Sequence, residues 1–178
     1  MKYQTIGDVF AGNEKVRGKF KDVISSLTDE QTSKSIPGEK WTIAQIAEHV
    51  SIVDDGIARI CGKLLAKAGD DGIRSDGRIE LSTDFQMKSD EIGRVKIEAP
   101  ARVHPTSEGA PIAESVAKMD ESSVLFEHLR PLFEKYDCSK HKFPHPFFGD
   151  LSAIEWLVLV GGHEARHLKQ IQNLLEKI

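Results

Sequence analysis

The sequence predicts an all-α fold, a four-helix bundle with a long crossover between its second and third helices. Three observations carry this. Apolar residues recur at helical spacing in four separate stretches. Two of those stretches open on capping-box signatures, Thr42 with Gln45 and Ser152 with Glu155. The linker of 69–111 has no helical period, and a link of that length lets the helices it joins run parallel, whereas shorter links suit antiparallel neighbours.

The first helix is expected from about Thr5 to Leu27, with Val9, Val16, Phe20, Val23, Ile24 and Leu27 as its apolar stripe and Gly12 and Gly18 interrupting its regularity. A polar stretch to Lys40 contains the turn signal Pro37-Gly38. The second helix opens at Trp41-Thr42, where Trp41 can staple onto Ile46. Ile43, Ile46, Ala47, Val50, Val53, Ile57, Ile60 and Leu64 continue its period. His49 falls near the edge of that apolar face, roughly two turns in.

Periodicity stops at Gly69-Asp70-Asp71-Gly72. The crossover that follows is read as irregular, with Arg94–His104 able to run extended and Pro100, Pro105 and Pro111 blocking a helix. His104 and Glu108 are weak candidates for substrate contacts there, each by default a solvated loop residue. The third helix should cover about Ile112 to Leu129, with Val116, Met119, Phe126 and Leu129 on one face. Pro131 kinks or ends it. His128 reads as a surface or boundary residue, and His141 and His145 as polar loop histidines. Pro146 and Gly149 mark a tight lead-in to the last helix.

That last helix, from about Leu151 to Ile178, carries the chemistry. Ser152 and Glu155 cap it, Leu151 and Trp156 are placed as a hydrophobic staple, and Ile154, Leu157, Val158, Ala165, Leu168, Ile171 and Leu175 repeat at helical spacing. His163 and His167 stand four apart and share a face with Trp156, Leu159, Ile171 and Leu174, so both imidazoles should look inward, as half of a metal site. Gly161 and Gly162 are unfavourable in a helix by roughly 1 kcal/mol each, which predicts a close neighbour at this backbone.

Composition narrows the function. With 178 residues the chain is long enough for one domain with a real core. A net charge of −4 and the lack of any Lys/Arg block argue against nucleic-acid binding. The apolar run Trp156–Val160 is too short to span a bilayer, and the opening MKYQTIGDVF has no apolar core of a secretory signal. Cys61 and Cys138 form no C-x-x-C motif. The expectation is free thiols in a reducing cytoplasm, without membrane association.

His163-Glu164-Ala165-Arg166-His167 matches H-E-x-x-H, in which both histidines hold zinc and the glutamate activates water. The context opposes a metallopeptidase. Only 11 residues follow His167, and Gln170 and Asn173 stand where the extended motif has Gly and His. The other source of a third ligand is upstream, and His49 is its candidate.

Two segments carry a resemblance. W-T-I-A-Q-I-A-E-H-V at 41–50 resembles the W-S-x-x-x-x-x-x-H-L segment of the DinB-like (YfiT-like) metal-binding four-helix proteins. H-P-F-F-G-D-L-S-A-I-E-W-L at 145–157, running on to H-E-A-R-H-L-x-Q-I at 163–171, is similar to that family's final segment. The resemblance implies a bundle holding one divalent metal ion through His49, His163 and His167, with Glu164 outside the ligand set. It also implies metal-dependent hydrolase or thiol-dependent transferase chemistry on a small molecule, with a low-molecular-weight thiol as cosubstrate in some members. Three imidazoles suit Zn²⁺, Ni²⁺, Fe²⁺, Co²⁺ or Mn²⁺ and leave coordination positions open. Arg166 and Gln170 flank the histidine strip, placed to orient an anionic substrate or a bound water, though by default they are packing residues. The alternatives are a non-catalytic metal-binding bundle and a dimerisation scaffold with merely buried histidines. A homodimer is expected without a particular face.

Overall fold

The computed structural model describes residues 3–92 and 98–178. Four long helices make the body: α1 (Ile6–Ser25), α3 (Ile43–Asp71), α5 (Ile112–Lys135) and α6 (Ala153–Leu175). Two short helices, α2 (Asp29–Ser33) and α4 (Thr83–Glu91), lie in the links, and a 3₁₀ turn spans Ala101–Val103. A two-stranded antiparallel hairpin, β1 (Lys142–His145) and β2 (Gly149–Ser152), leads into α6.

The helix starts follow the local chemistry. Thr42 and Ser152 are the N-caps of α3 and α6, each in a complete capping box, and Thr5 caps α1 with Asp8 as its partner. In each box the hydroxyl takes a backbone N–H of the first turn, while the side chain three residues on takes the cap's own N–H. Helix α3 runs to Asp71, further than the apolar period shows. It ends on Gly72 at φ +70°, whose N–H donates to the Ala68 and Gly69 carbonyls.

Helices α3 and α5 pack side by side, and α6 and α1 complete a ring in which α3 meets α6, α6 meets α1, and α1 meets α5. Gln45 and Glu48 near the start of α3 bond residues 106–110 just ahead of α5. Gly69 near the end of α3 lies against Tyr136, just past the end of α5. These two helices therefore run parallel, as the long crossover allows. Asn13 bonds Leu157 and Arg17 bonds Glu164, so α1 and α6 are parallel too. Helices α1 and α3, and α5 and α6, are antiparallel but sit diagonally rather than as neighbours.

One core cluster, including Val9, Phe10, Leu65, Phe133 and Leu157, fills the end of the bundle near the hairpin. A second, including Phe20, Ile24, Ile43, Ile46, Met119, Ile171 and Leu174, fills the other end. No described helix is long and apolar enough to cross a membrane.

Several expectations are corrected. Of the two outcomes read for Pro131, ending the helix near Leu129 is overturned, since α5 continues through Pro131 to Lys135, where the fully buried Phe133 packs. The crossover is not wholly irregular. Ser82 caps α4, which is anchored by the buried Phe85 against Phe148 at 5.2 Å between ring centroids. Of the segment Arg94–His104, residues 94–97 lie outside the described residues, and 101–103 are helical rather than extended. Ala165, counted in the apolar repeat of the last helix, is exposed. The lead-in to α6 is tight, as Pro146 and Gly149 indicate, but it is a β-hairpin with Gly149 at φ +81°.

The end of the crossover is fixed on α3. A single Glu48 oxygen accepts from Thr106 N (3.0 Å), Thr106 Oγ1 (2.8 Å) and Ala110 N (2.9 Å). Gln45 donates to the Thr106 and Ser107 carbonyls. Gly109, at φ +83°, lies so close to the α3 backbone that a Cβ would come within 2.8 Å of Gln45 N.

Candidate metal centre

Three imidazoles converge where α3 faces α6. His49 comes from the second turn of α3, and His163 and His167 from successive turns of α6. His163 Nε2 lies 3.2 Å from His49 Nε2 and 3.2 Å from His167 Nε2. The three rings stand edge to face, with centroids 4.5–5.1 Å apart. His49 and His167 are buried and His163 is half-buried.

The outer nitrogens decide what the inner ones can do. His49 Nδ1 lies 2.7 Å from the Val103 carbonyl, which only accepts, so Nδ1 carries the hydrogen and Nε2 presents a lone pair. His167 Nδ1 likewise donates to Gln170 Oε1 at 2.9 Å. Two lone pairs thus point at His163 Nε2, which has at most one hydrogen to give. At least one of the two 3.2 Å contacts sets lone pair against lone pair, which a cation at the centre would relieve. His163 Nδ1 is buried with no hydrogen-bond partner among the described residues.

The two 3.2 Å spacings match a metal ion, and all three ligand nitrogens lie within 4.8 Å of one another. Nitrogens about 2.0–2.1 Å from a tetrahedral ion stand about 3.3–3.4 Å apart. Burial is the main reason all three histidines are pushed below the usual imidazole range, His167 to about 3, and each also feels its neighbours and Arg166. They are therefore neutral at neutral pH, the form that ligates.

The other sequence candidates are elsewhere or peripheral. His145 packs against Trp156 and Phe148, and its Nδ1 accepts from the Phe147 and Phe148 amides. Burial, then Arg102, lowers it to about 4. His104 is exposed and bonds the Ala99 carbonyl, His141 pairs with Asp71, and His128 and Glu108 are exposed. Gln170 belongs to the centre as the residue that orients His167. Arg166 stays half-buried on α6 between the two histidines.

Glu164 points away from the cluster. It is fully buried, and its Oε1 accepts from Arg17 Nε (2.8 Å) and Nη2 (2.6 Å). Arg17 Nη2 also donates to Asp54 Oδ2 at 3.0 Å, and Nη1 donates to Ser123 Oγ. This Arg17–Asp54–Glu164 group was not anticipated. Burial, and then the Glu164 carboxylate, push Asp54 well above the usual carboxylate range. With Asp54 holding a proton the trio is neutral, and one shared proton satisfies the otherwise unpartnered Asp54 Oδ1 and Glu164 Oε2. Gly161 also meets a close neighbour, since a Cβ there would collide with the Asn13 carboxamide. Gly162 faces open space.

Fold and site together define a helical bundle with an inward three-histidine cluster. The chain belongs to the DinB superfamily, whose profile matches residues 13–171. It is similar to the uncharacterized protein YuaE of Bacillus subtilis (strain 168), 24% identical over 157 residues, which cover 87% of this chain and 90% of that one. Among solved structures it resembles TT2238, described as a four-helix bundle protein, with a TM-score of 0.62 and 23% identity over 94% of this chain and 98% of the other.

Proposed function

We propose that this chain binds one divalent metal ion through His49, His163 and His167 and uses it, as a hydrolase or a thiol-dependent transferase, on a small molecule. The observation that carries the reading is the orientation of the nitrogens. Val103 and Gln170 hold the outer hydrogens of two rings, so their inner lone pairs aim at a common point with the third. Zn²⁺, Ni²⁺, Fe²⁺, Co²⁺ and Mn²⁺ all suit such a donor set.

Three protein ligands leave positions open for water or substrate, the pattern of catalytic rather than closed structural sites. When bound, the ion supplies Lewis-acid activation of a water or thiol at neutral pH. The chain's own residues do the rest. His49, His163 and His167 hold the ion, Val103 and Gln170 fix two of the rings, and Trp41 walls the cluster with its ring 4.8 Å from that of His49.

Glu164 has no place as a water-activating base, because its carboxylate is buried against Arg17. That geometry opposes the metallopeptidase reading. X-ray absorption on protein loaded with one equivalent of Zn²⁺ tests the ligand set. Three imidazole nitrogens plus at least one exchangeable non-imidazole ligand such as water are expected, and a site with fewer than three imidazoles contradicts the proposal. Chelator-treated protein should lose, and added metal restore, any hydrolysis or thiol transfer found across a substrate panel.

A further inference from the structure

Val103, whose carbonyl takes the His49 Nδ1 hydrogen, belongs to a stretch of the crossover in which none of residues 98–110 is buried. Apolar burial therefore does little to hold that carbonyl in place, and a segment so held opens readily. What fixes it is polar and comes from one strip of α3. Gln45, Glu48 and His49 are spaced i, i+3 and i+4, so they share a helix face. Gln45 Nε2 donates to the Thr106 and Ser107 carbonyls at 3.1 and 2.9 Å. Glu48 Oε2 accepts from Thr106 N, Thr106 Oγ1 and Ala110 N, all within 3.0 Å. His49 Nδ1 donates to Val103 at 2.7 Å. At the head of the strip the His104 ring stands edge-on to Trp41, 6.0 Å between centroids.

Glu48 is the charged member of this set and is only 8% exposed. It adjoins a histidine of the cluster in sequence, yet it lies outside the three-histidine group, and its Oε2 is committed to the crossover. Bonds to a carboxylate are stronger than those between neutral groups, so Glu48 is the main anchor of 106–110. Val103 is three residues upstream of that anchor. If 106–110 lifts from α3, the Val103 carbonyl leaves with it, and His49 loses the acceptor that fixes its tautomer and ring. Partners of this kind tune metal affinity by about 10–100-fold. Linkage makes the effect reciprocal: whatever docking adds to metal affinity, a bound ion adds to docking.

We propose that Glu48 is a positioning residue of the metal centre: by anchoring 106–110 on α3 it places the Val103 carbonyl that orients His49, so that metal affinity and docking of the crossover rise and fall together. The proposal rests on the metal-binding reading above and adds a means of regulating that site. Anything that lifts the crossover from α3 would release the ion.

The test uses the full chain and Zn²⁺. Affinity is measured by competition with a chromophoric chelator for parent, Glu48→Ala, Gly109→Ala and Phe85→Leu. Gly109→Ala presses the crossover off α3 without touching a histidine, since at φ +83° its Cβ would come within 2.8 Å of Gln45 N. Phe85→Leu loosens the other core cluster and is the control for destabilisation alone. Glu48→Ala and Gly109→Ala should each bind Zn²⁺ about 10-fold or more weakly, and Phe85→Leu within about twofold of parent. Amide hydrogen exchange on parent needs no variant. One Zn²⁺ per chain should slow the Thr106 and Ala110 amides by about 10-fold or more, while the Gln86 amide of α4 changes by less than about twofold. Zinc affinity within about twofold of parent in both Glu48→Ala and Gly109→Ala overturns the proposal. So does a parent that binds Zn²⁺ with no change at Thr106 and Ala110, or with an equal change at Gln86. A parent that takes up no Zn²⁺ overturns the metal-binding reading itself, a result distinct from the others.

Discussion

Replacing Arg17 by Met should be the most damaging single change at the bundle's centre. Arg17 is 9% exposed and bridges Asp54 and Glu164, both completely buried. Methionine removes the only positive charge of the trio and leaves the Glu164 carboxylate without its partner. Breaking a buried pair in this way costs about 3–5 kcal/mol. A domain of this size loses about 2–4 °C of melting temperature per kcal/mol, so a fall of about 6–20 °C is expected. Lys21→Met is the control. Its partner Asp120 is 54% exposed, and such surface pairs are worth about 0–1 kcal/mol. Urea unfolding of Arg17→Met, Arg17→Met/Glu164→Met and Lys21→Met measures the terms. The double variant should recover part of the loss, because no uncompensated charge remains. An Arg17→Met protein within about 1 kcal/mol of parent, comparable to the Lys21 control, would refute the claim that the trio is a closed buried network.

Three further outcomes follow from the same structure. Asp54→Asn mimics the protonated acid. The folded parent holds that proton above the unfolded pKa, so parent stability falls by up to about 1.4 kcal/mol per pH unit as pH rises from about 4. The stability of Asp54→Asn relative to parent should therefore increase between pH 4 and pH 7 in parallel chemical melts, and a pH-independent gap would contradict the shared proton. Gly161→Ala and Gly162→Ala should differ in sign. The first loses about 1–3 kcal/mol by pressing on Asn13, and the second gains about 0.5–1 kcal/mol from helix propensity in open space, both read by thermal melts. Gln170→Ala frees the His167 ring and should weaken Zn²⁺ binding about 10–100-fold in a competition titration with little loss of fold, whereas unchanged affinity would remove Gln170 from the centre.

The residues differ in how far a single sequence exposes them. His163 and His167 are legible because four-residue spacing puts them on one helix face, and the capping box of Ser152 and Glu155 sets where that helix begins. His49 is legible once Thr42 and Gln45 mark the start of its helix, with the resemblance selecting it over other histidines. That the three rings meet is tertiary information. Arg17, Asp54 and Glu164 were hidden because a lone charged residue in a helix reads as surface. Each in fact sits on an apolar face, Asp54 between Val50 and Ile57 and Glu164 between Val160 and Ile171, and a charge at such a position is the signal that was available. Helix α4 was missed because it buries only Phe85, too little to show a period. Val103 was beyond reach because a backbone carbonyl leaves no mark in composition, and its position depends on how Glu48 and Gly109 dock the crossover.

The central claim is that His49, brought from α3, completes a site with His163 and His167 of α6. Metal content per chain, measured by elemental analysis on protein purified without a nickel column and incubated with Zn²⁺, tests it most directly when parent is set beside His49→Ala and His163→Ala. The account predicts about one ion per chain in parent and loss of it in both variants with their helical spectra intact, since each removes one of three ligands. Full occupancy retained in His49→Ala, or no uptake by parent of Zn²⁺, Ni²⁺, Mn²⁺ or Fe²⁺, would contradict it.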